Sequence, residues 1–501
     1  MGQPMDSWRI ALICVLSIPA CAQPFGIRVL DAETGRGVPL VRLETTDASV
    51  FISDSAGWIA IEDPVLIGRT VHFTITSHGY EYPTDGFGYR GVALDVTPGG
   101  RAEIAVNRTN IAERLYRLTG AGIYEHTYRL GESPPIRQPL LNGGVVGQDS
   151  VLAHEWQGRV LWLFGDTSRF AYPLGLFHTA GAWSDRPADP AAGIDFEYIV
   201  GEDGFVRAMC PSEGEGPVWL DGLCAVDDGQ GQLRLIAHYS RVRGLEALFE
   251  HGIAVFDEGE EVFDKAARFD LERLWEAPRG HPLSQDEYLM FATPFIQSRC
   301  LATLAAVSDQ GSYEAFTCLA EGARWEGPAS RLELDAAGRP AWGFRPGTDP
   351  VGPREERELI EAGAIDSADA RYDVRDIDSG RAVALHAGSV AWNAYRQRWV
   401  MIAVEAFGEP SFLGEIWYLE AESPTGPWRD AKRIVSHDRY GFYNPLHHPF
   451  LDQEGGRIIY FQGTYTQMFE GDMPKTPRYD YNQIMYRLDL SDERLRPAGS
   501  H

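Results

Sequence analysis

The stretch Phe442–Phe461, FYNPLHHPFLDQEGGRIIYF, contains the pattern that decides the fold. Its second half reads as a β-hairpin, because an apolar run is followed by a polar, glycine-containing turn and then by a second apolar run. Its first half places Tyr443, Asn444, His447 and His448 directly before that hairpin. Side chains that bind ligands and transfer protons are therefore concentrated where one strand begins.

The same order of features recurs along the chain. Each unit has a strand that opens with a polar residue, a glycine-containing turn, a strongly apolar strand, a loop and a third strand. The clear units begin at GQDSVLAHEWQGRVLWLFGDT (147–167), WLDGLCAVDDGQGQLRLIAHYSR (219–241), HAGSVAWNAYRQRWVMIAVEAF (386–407) and YNPLHHPFLDQEGGRIIYFQGTY (443–465), and EYLMFATPFIQSRCLATLAAV (287–307) is a less regular one. Such a repeat is typical of a five-bladed β-propeller.

The fold class predicted from the sequence is all-β, with an N-terminal β-sandwich followed by the propeller. Short alternating strands with glycine-containing turns predict the sandwich over residues 24–108. Residues 109–140 read as a connector with a short helix at NIAERLYRL, and 141–495 as the propeller. A second helix is predicted at PREERELIEAGAI, where it interrupts the ring.

Composition and the N-terminus exclude several classes of function. The formal net charge of −27 over 501 residues argues against nucleic acid and against an anionic membrane surface as partners. Residues 1–23 read as an export signal, because Arg9 precedes an apolar run too short to span a bilayer. Ile18–Cys21 resembles a lipobox, so a lipid on Cys21 is the one membrane tether expected. We expect a monomer that is periplasmic, an outer-membrane lipoprotein or secreted.

The cysteines agree with export but leave their redox state open. Cys210, Cys224, Cys300 and Cys318 form two pairs that are local in sequence. Disulfides in an oxidising compartment and free buried thiols both fit this spacing.

Three motifs near the N-terminus resemble the transthyretin-like, carboxypeptidase-regulatory-like domain. They are V-x-D-x-x-T-G at residues 29–35, SDSAGW at 53–58 and SHGY at 77–80. The resemblance implies a structural module without chemistry of its own.

Three motifs in the repeats resemble five-bladed propeller glycosidases of the bacterial endo-D-arabinanase and arabinanase type. They are GQDSVLAHEWQGRVLWLFGDT, EIWYLEAESPTGPW at 415–428 and HPFLDQEGGRIIYF at 448–461. The resemblance implies an exported hydrolase that cleaves glycosidic bonds of a polysaccharide or oligosaccharide, a reaction that needs two carboxyl groups. It implies Asp149 as base or nucleophile and Asp166 or Asp221 as the orienting carboxylate.

The general acid stays open among three glutamates. Glu250 and Glu415 each precede a third strand, and Glu405 ends an apolar strand, where a carboxylate should be paired or functional. Side chains expected to contact the substrate are His386, Tyr443, Asn444, His448, Arg243 and Trp219.

Two further functions are compatible with these residues. A polysaccharide lyase would use His386 or His448 with Tyr443, and Arg169 or Arg243 would neutralise a uronate. A surface glycan-binding lipoprotein would lack a competent acid. No cofactor and no metal ligand are predicted, although the resemblance leaves open a calcium ion near the axis with a histidine beside it.

Overall fold

The computed structural model describes residues 23–244, 247–276 and 280–496. The predicted lipobox with Cys21, and all but the last residue of the predicted export signal, lie outside these ranges. Within them, no helix has the length and apolar character needed to cross a bilayer.

Eight strands form two sheets at the N-terminus. They are β1 (Phe25–Asp31), β2 (Arg42–Thr45), β3 (Val50–Ile52), β4 (Trp58–Ile61), β5 (Arg69–Thr76), β6 (Tyr80–Glu81), β7 (Gly91–Val96) and β8 (Arg101–Arg108). The strand orders are β4-β1-β8-β6 and β3-β2-β5-β7. Alternate side chains such as Ile27, Leu43 and Phe73 form one buried cluster, as expected where strands present one apolar face to a core.

Five larger sheets of mainly antiparallel strands follow, which we number 1 to 5. A short segment precedes them with β9 (Glu113–Arg117), α1 (Glu125–Arg129) and β10 (Gly147–Gln148). Sheet 1 contains β11 (Leu152–Trp156), β12 (Arg159–Phe164), β15 (Ala180–Ser184) and β16 (Glu197–Tyr198). A separate small sheet has the order β10, β13 (Thr167–Arg169) and β14 (Tyr172–Leu176), in which β13 pairs with both of the others. Sheet 2 contains β17 (Val218–Asp227), β18 (Leu233–Arg243), β19 (Ala247–Asp257) and β20 (Val262–Arg268).

The remaining sheets are antiparallel except at one edge of sheet 4, where Arg375–Asp376 and Asp430–Val435 pair in parallel. Sheet 3 contains β21 (His281–Gln285), β22 (Tyr288–Ala292), β23 (Ile296–Leu301), β24 (Glu314–Thr317) and β25 (Gly343–Pro346), with α2 (Leu304–Ser308) between its strands. After α3 (Pro353–Glu361), sheet 4 contains β26 (Arg375–Asp376), β27 (Leu385–Asn393), β28 (Arg398–Glu405), β29 (Ile416–Ala421) and β30 (Asp430–Val435). Sheet 5 contains β31 (Gly441–His447), β32 (Ile458–Thr466), β33 (Asn482–Asp489) and β9.

The five sheets form a closed ring, because a hydrophobic cluster fills each junction between neighbours. The junctions contain Leu161 with Tyr239 (sheets 1 and 2), Ile253 with Phe291 (2 and 3), Met290 with Trp417 (3 and 4), Ile402 with Tyr486 (4 and 5), and Tyr460 with Trp162 (5 and 1). The all-β fold class predicted from the sequence is confirmed.

The strand directions place the predicted polar positions on one face of the ring. The first strands of neighbouring sheets contact one another, so β11, β17, β21, β27 and β31 lie nearest the centre. We call these five the first strands, and each pairs antiparallel with the next strand of its sheet, so the first strand begins where the second ends. We call this side, where first strands begin and second strands end, the mouth face.

The segment expected to be a connector contributes a strand to the ring. Glu113–Arg117, predicted as a short helix, is the strand β9, and it pairs with β33 at the outer edge of sheet 5. All five side chains of β9 are buried, so the sequence lacks the alternation that marks a strand. The helix predicted at residues 353–365 is present as α3. The boundaries 24–108, 109–140 and 141–495 stay a prediction.

The four cysteines expected after export are buried free thiols in the structure. Of the two states that the spacing left open, the structure contains the reduced one.

Arg114 on β9 connects the ring to the N-terminal sandwich. Its side chain is 1% exposed. Its Nε and Nη2 atoms donate to the carbonyl oxygen of Pro39 at 3.1 and 2.8 Å, and Nη1 donates to that of His78 at 2.8 Å. Nη2 also donates to the Ser77 hydroxyl at 2.6 Å. One guanidinium group therefore satisfies buried acceptors on two loops of the sandwich.

We expect Arg114→Leu to lower the free energy of unfolding by about 3 kcal/mol, because the substitution leaves buried acceptors without donors. Urea denaturation would measure the loss. Arg137→Leu is the matched control, since that side chain is 65% exposed and pairs only with surface carboxylates, which stabilise by at most about 1 kcal/mol. Equal losses in the two variants would contradict the role given to Arg114.

Candidate active site

Asp149 lies at the mouth face, between the end of β10 and the start of β11. Its Oδ2 atom accepts a hydrogen bond from the Tyr443 hydroxyl at 2.8 Å. Burial raises the pKa of Asp149, and hydrogen bonds from Tyr443 and Tyr481 oppose that shift. The carboxyl is thus removed from bulk water but retains donors that favour its charged form.

Asp166 follows β12 and is the backbone neighbour of Asp149. The Asp149 amide donates to the Asp166 carbonyl at 3.2 Å, and the Gly165 amide donates to the Asp149 carbonyl at 2.8 Å. Burial, and next the negative charge of Asp149, raise the pKa of Asp166 to about 7, although a hydrogen bond from Trp219 opposes the shift. That bond joins the Trp219 indole nitrogen to Asp166 Oδ1 at 3.1 Å. The two carboxyl groups are close enough to interact, and with this pKa about half of Asp166 is protonated at neutral pH.

Gly165 leaves the space that the Asp149 carboxyl occupies. A Cβ atom at residue 165 would lie 2.2 Å from Asp149 Oδ1, well inside the distance at which atoms can approach. The glycine of the LFGDT segment is therefore required by its neighbour's side chain.

A polar seam joins sheet 5 to sheet 1 beside the carboxyl pair. The Asn444 side-chain amide donates to the Ser150 hydroxyl at 2.9 Å, and the Ser150 amide donates to the Thr464 hydroxyl at 2.8 Å. Asn444 and Ser150 have φ angles of 49° and 46°, a left-handed conformation that asparagine tolerates better than serine. The conformation persists because these bonds hold both residues.

Asp221 is bound by backbone groups at the junction of sheets 2 and 3. Its Oδ1 accepts from the Gly222 amide at 2.8 Å, and its Oδ2 accepts from the Gly280 amide at 2.7 Å. Its carboxylate therefore connects neighbouring sheets.

Each of the three glutamates predicted as candidates for the acid is engaged in an ion pair. Glu250 lies 3.1 Å from Lys265 Nζ and 3.4 Å from Arg241 Nη1. Burial alone would raise the pKa of Glu250, but the pKa is lowered because bonds and charge from Lys265 outweigh burial.

Glu405 and Glu415 are buried deeper in sheet 4. Glu405 binds both terminal nitrogens of Arg381 and accepts from the Trp417 indole nitrogen at 3.0 Å. Glu415 lies 3.1 Å from Arg433 Nη1, and burial raises its pKa to about 7. The Glu415 side chain has no exposed surface, so it offers no carboxyl to a ligand.

The structure does not gather the predicted histidines beside Asp149. His448 is 1% exposed, and its ring lies edge-on to Trp162 at a centroid distance of 5.2 Å. Burial lowers the pKa of His448 well below its ordinary value. His447 pairs instead with Asp452 at 2.8 Å, and His386 is exposed on β27.

The structure also bears on Arg243, which was expected to contact the substrate, and on the calcium ion that the resemblance left open. Arg243 is exposed and pairs with Glu215 at 3.2 Å. In the ranges that the structure describes, no three His, Cys, Asp or Glu side chains are grouped in a way that would hold a metal ion.

Tyr481 is the residue of this site that the sequence patterns did not indicate. It precedes β33 and interacts with both carboxyl groups. Burial is the largest cause that raises its pKa, and the negative charges of Asp149 and Asp166 are the next. Its φ angle is 62°, which marks a constrained turn, but a tyrosine before an apolar strand carries no such signal in the sequence.

Comparisons with known proteins give distant structural matches. No family model and no curated protein matches the chain. A putative exo-β-1,3-galactanase from Bifidobacterium bifidum overlaps with 76% of this chain and 94% of its own, at 10% identity and a TM-score of 0.36.

Two further solved structures overlap to a similar degree. The exo-β-1,3-galactanase from Phanerochaete chrysosporium with β-1,3-galactotriose overlaps with 75% of this chain and 64% of its own, at 11% identity and a TM-score of 0.36. A GH43_1 enzyme from Xanthomonas citri with xylotriose overlaps with 70% of this chain and 88% of its own, at 11% identity and a TM-score of 0.34.

We expect Asp166→Asn to stabilise the protein more at a pH of about 8 than at a pH of about 4. Because the folded state raises the pKa of Asp166 from 3.8 to about 7, folding favours the protonated carboxyl. That contribution is complete below about 4 and is lost as the pH rises through about 7. Asparagine stays neutral throughout, so the difference should be at least about 1 kcal/mol.

Thermal and urea denaturation at both pH values would measure this difference. Asp203→Asn is the control, because that carboxyl is 66% exposed. A gain for Asp166→Asn that does not depend on pH would contradict the buried, protonated state.

Proposed function

We propose that the protein is an exported glycoside hydrolase that cleaves glycosidic bonds of a polysaccharide, with Asp149 and Asp166 as its two carboxyl groups. The observation that carries the proposal is the unequal environment of the pair. Asp166 has a pKa of about 7, whereas two tyrosine hydroxyls favour the charged form of Asp149. Burial raises the pKa of Asp149 as well, but the two tyrosine hydrogen bonds that oppose this shift have no counterpart on Asp166 beyond the bond from Trp219. Carboxyl groups in such different surroundings are suited to acid and base roles.

Asp166 would donate its proton to the glycosidic oxygen as the bond to the anomeric carbon breaks. Asp149, as the carboxylate, would take a proton from an attacking water. Alternatively it would attack the anomeric carbon and be released by water in a second step, in which the ionised Asp166 takes the proton of that water. In both cases the leaving sugar gains the proton of Asp166. The Tyr443 hydroxyl would hold the orientation of Asp149 throughout.

A second function, glycan binding without cleavage, is supported by a specific observation. Glu250, Glu405 and Glu415, the residues expected to supply the acid, are each bound to a cation. If Asp166 does not act as the acid, the mouth still presents carboxylates and aromatic rings to a sugar. The lyase alternative lacks comparable support, since Arg169 and Arg243 lie beside Asp203 and Glu215.

We expect Asp149→Asn to reduce turnover by about 10³-fold or more, because the base or nucleophile is lost. The assay would measure new reducing ends from arabinan, galactan and xylan, with absorbance of unsaturated uronates recorded in parallel. Glu215→Gln is the control, as that side chain is 84% exposed. Full activity of Asp149→Asn would remove Asp149 from the mechanism, and binding of glycans without cleavage by the parent would favour the second function.

We expect turnover of natural substrates to fall as the pH rises above about 7, because Asp166 then loses the proton that it donates. Asp166→Asn should abolish cleavage of polysaccharides but retain cleavage of an aryl glycoside whose leaving group needs no proton. Kinetics of both substrates across pH would measure this separation. Equal losses on the two substrates would show that Asp166 is not the acid.

A further inference from the structure

Exposed aromatic side chains are concentrated on the mouth face. Of the eleven exposed Phe, Tyr and Trp side chains in the described ranges, six lie in the segments that connect the second strand of a sheet to its next strand. They are Phe170, Tyr172 and Phe177 after β12, Phe407 and Phe412 after β28, and Phe469 after β32. Exposed apolar groups that cluster in this way mark a surface that binds something.

Each carboxyl group of the site accepts a hydrogen bond from an aromatic side chain, and that side chain in turn contacts a residue with one of these exposed rings. On one side, the Trp219 indole nitrogen donates both to Asp166 Oδ1 and to the carbonyl oxygen of Phe177, each at 3.1 Å. We call Trp219 and Phe177 the first arm. It lies on sheets 1 and 2.

The second arm extends from Asp149 in the direction of sheets 4 and 5. Tyr443 donates to Asp149, and the Phe469 ring lies edge-on to Tyr443 with centroids 5.3 Å apart. We call Tyr443 and Phe469 the second arm, in which Phe469 is the exposed ring and Tyr443, at 8% exposure, is the buried link to Asp149. The carboxyl pair therefore has an aromatic arm on either side.

Glu470 attaches the second arm to the neighbouring loop of sheet 4. Its Oε1 accepts from the amides of Phe412 at 2.8 Å and Leu413 at 3.4 Å. Phe412 in turn lies edge-on to Phe407 at a centroid distance of 5.0 Å. This contact fixes the position of Phe469 relative to the exposed rings of sheet 4.

We propose that the two arms are sugar-binding subsites on opposite sides of the carboxyl pair, so that the mouth holds the interior of a neutral glycan chain. The proposal rests on the hydrolase function above and adds the position of cleavage, within the chain. A sugar ring has an apolar C–H face and a polar edge, so it can stack on separate aromatic rings while its hydroxyls reach the carboxylates. A uronate chain fits less well, because the site itself contains Asp149 and Asp166 in a protein with a net charge of −27.

The test measures binding separately from cleavage. In the full chain carrying Asp149→Asn, affinities for oligosaccharides of arabinan, galactan and xylan would be measured by calorimetry. Adding Phe469→Ala or Phe177→Ala should each weaken binding of the best of these glycans by about tenfold, and Phe469→Tyr should retain it. Phe87→Ala is the control, since that ring is 90% exposed on the N-terminal sandwich.

Two outcomes would refute the proposal that the arms are sugar-binding subsites without affecting the hydrolase function. One is unchanged affinity in both alanine variants. The other is release of monosaccharide alone by the wild-type chain, in place of the expected rapid fall in polymer viscosity with a mixture of oligosaccharide products. Conversely, arm-dependent binding in a chain that never cleaves would remove the hydrolase function and retain the two-sided glycan site.

Discussion

The pairing of β9 with β33 is the constraint on which the other features depend. It joins a strand that precedes sheet 1 to the last strand of sheet 5, so both ends of the repeat meet in one sheet. Tyr443 and Asp149 are 294 residues apart in sequence, yet this closure brings the hydroxyl to the carboxylate. Because the candidate site lies at the closing junction, its geometry depends on the integrity of the whole ring.

The carboxyl pair lies at a place where electrostatic repulsion and backbone strain both destabilise the folded state. Two carboxyl groups buried side by side disfavour each other's charge, and the left-handed backbone at Ser150 and Asn444 adds local strain. The seam of hydrogen bonds and the hydrophobic clusters on both sides offset these costs. Costs of this kind are common at functional sites, where activity and stability make opposing demands.

The sequence predicted the class of fold, and it named residues that the structure brings together, whose roles remain a proposal. Alternating apolar positions and glycine turns repeat along the chain, and Asp149, Asp166, Tyr443 and Asn444 open or close the strands of those repeats. Strand β9 could not be recognised, since its residues are buried on both sides and its partner lies far along the chain. Local pattern carries no information about such a distant partner.

The role of the glutamates was equally hidden from the sequence. Glu405 and Glu415 end or precede apolar strands, which identifies them as paired or functional, but only the fold shows Arg381 and Arg433 beside them. For the histidines, a position directly before the hairpin indicated that His448 would contact the substrate. It could not show that His448 packs against Trp162.

The position of β9 also has a consequence for biosynthesis. A ribosome produces this edge strand early, but its partner Asn482–Asp489 emerges only after all the intervening sheets. Until then the backbone amides and carbonyls of β9 lack their partners, and its side chains, which are buried in the folded protein, are exposed. A strand edge in this state can pair with the wrong strand or aggregate. The attached N-terminal sandwich, whose loops already bind Arg114, can shelter that edge while translation continues.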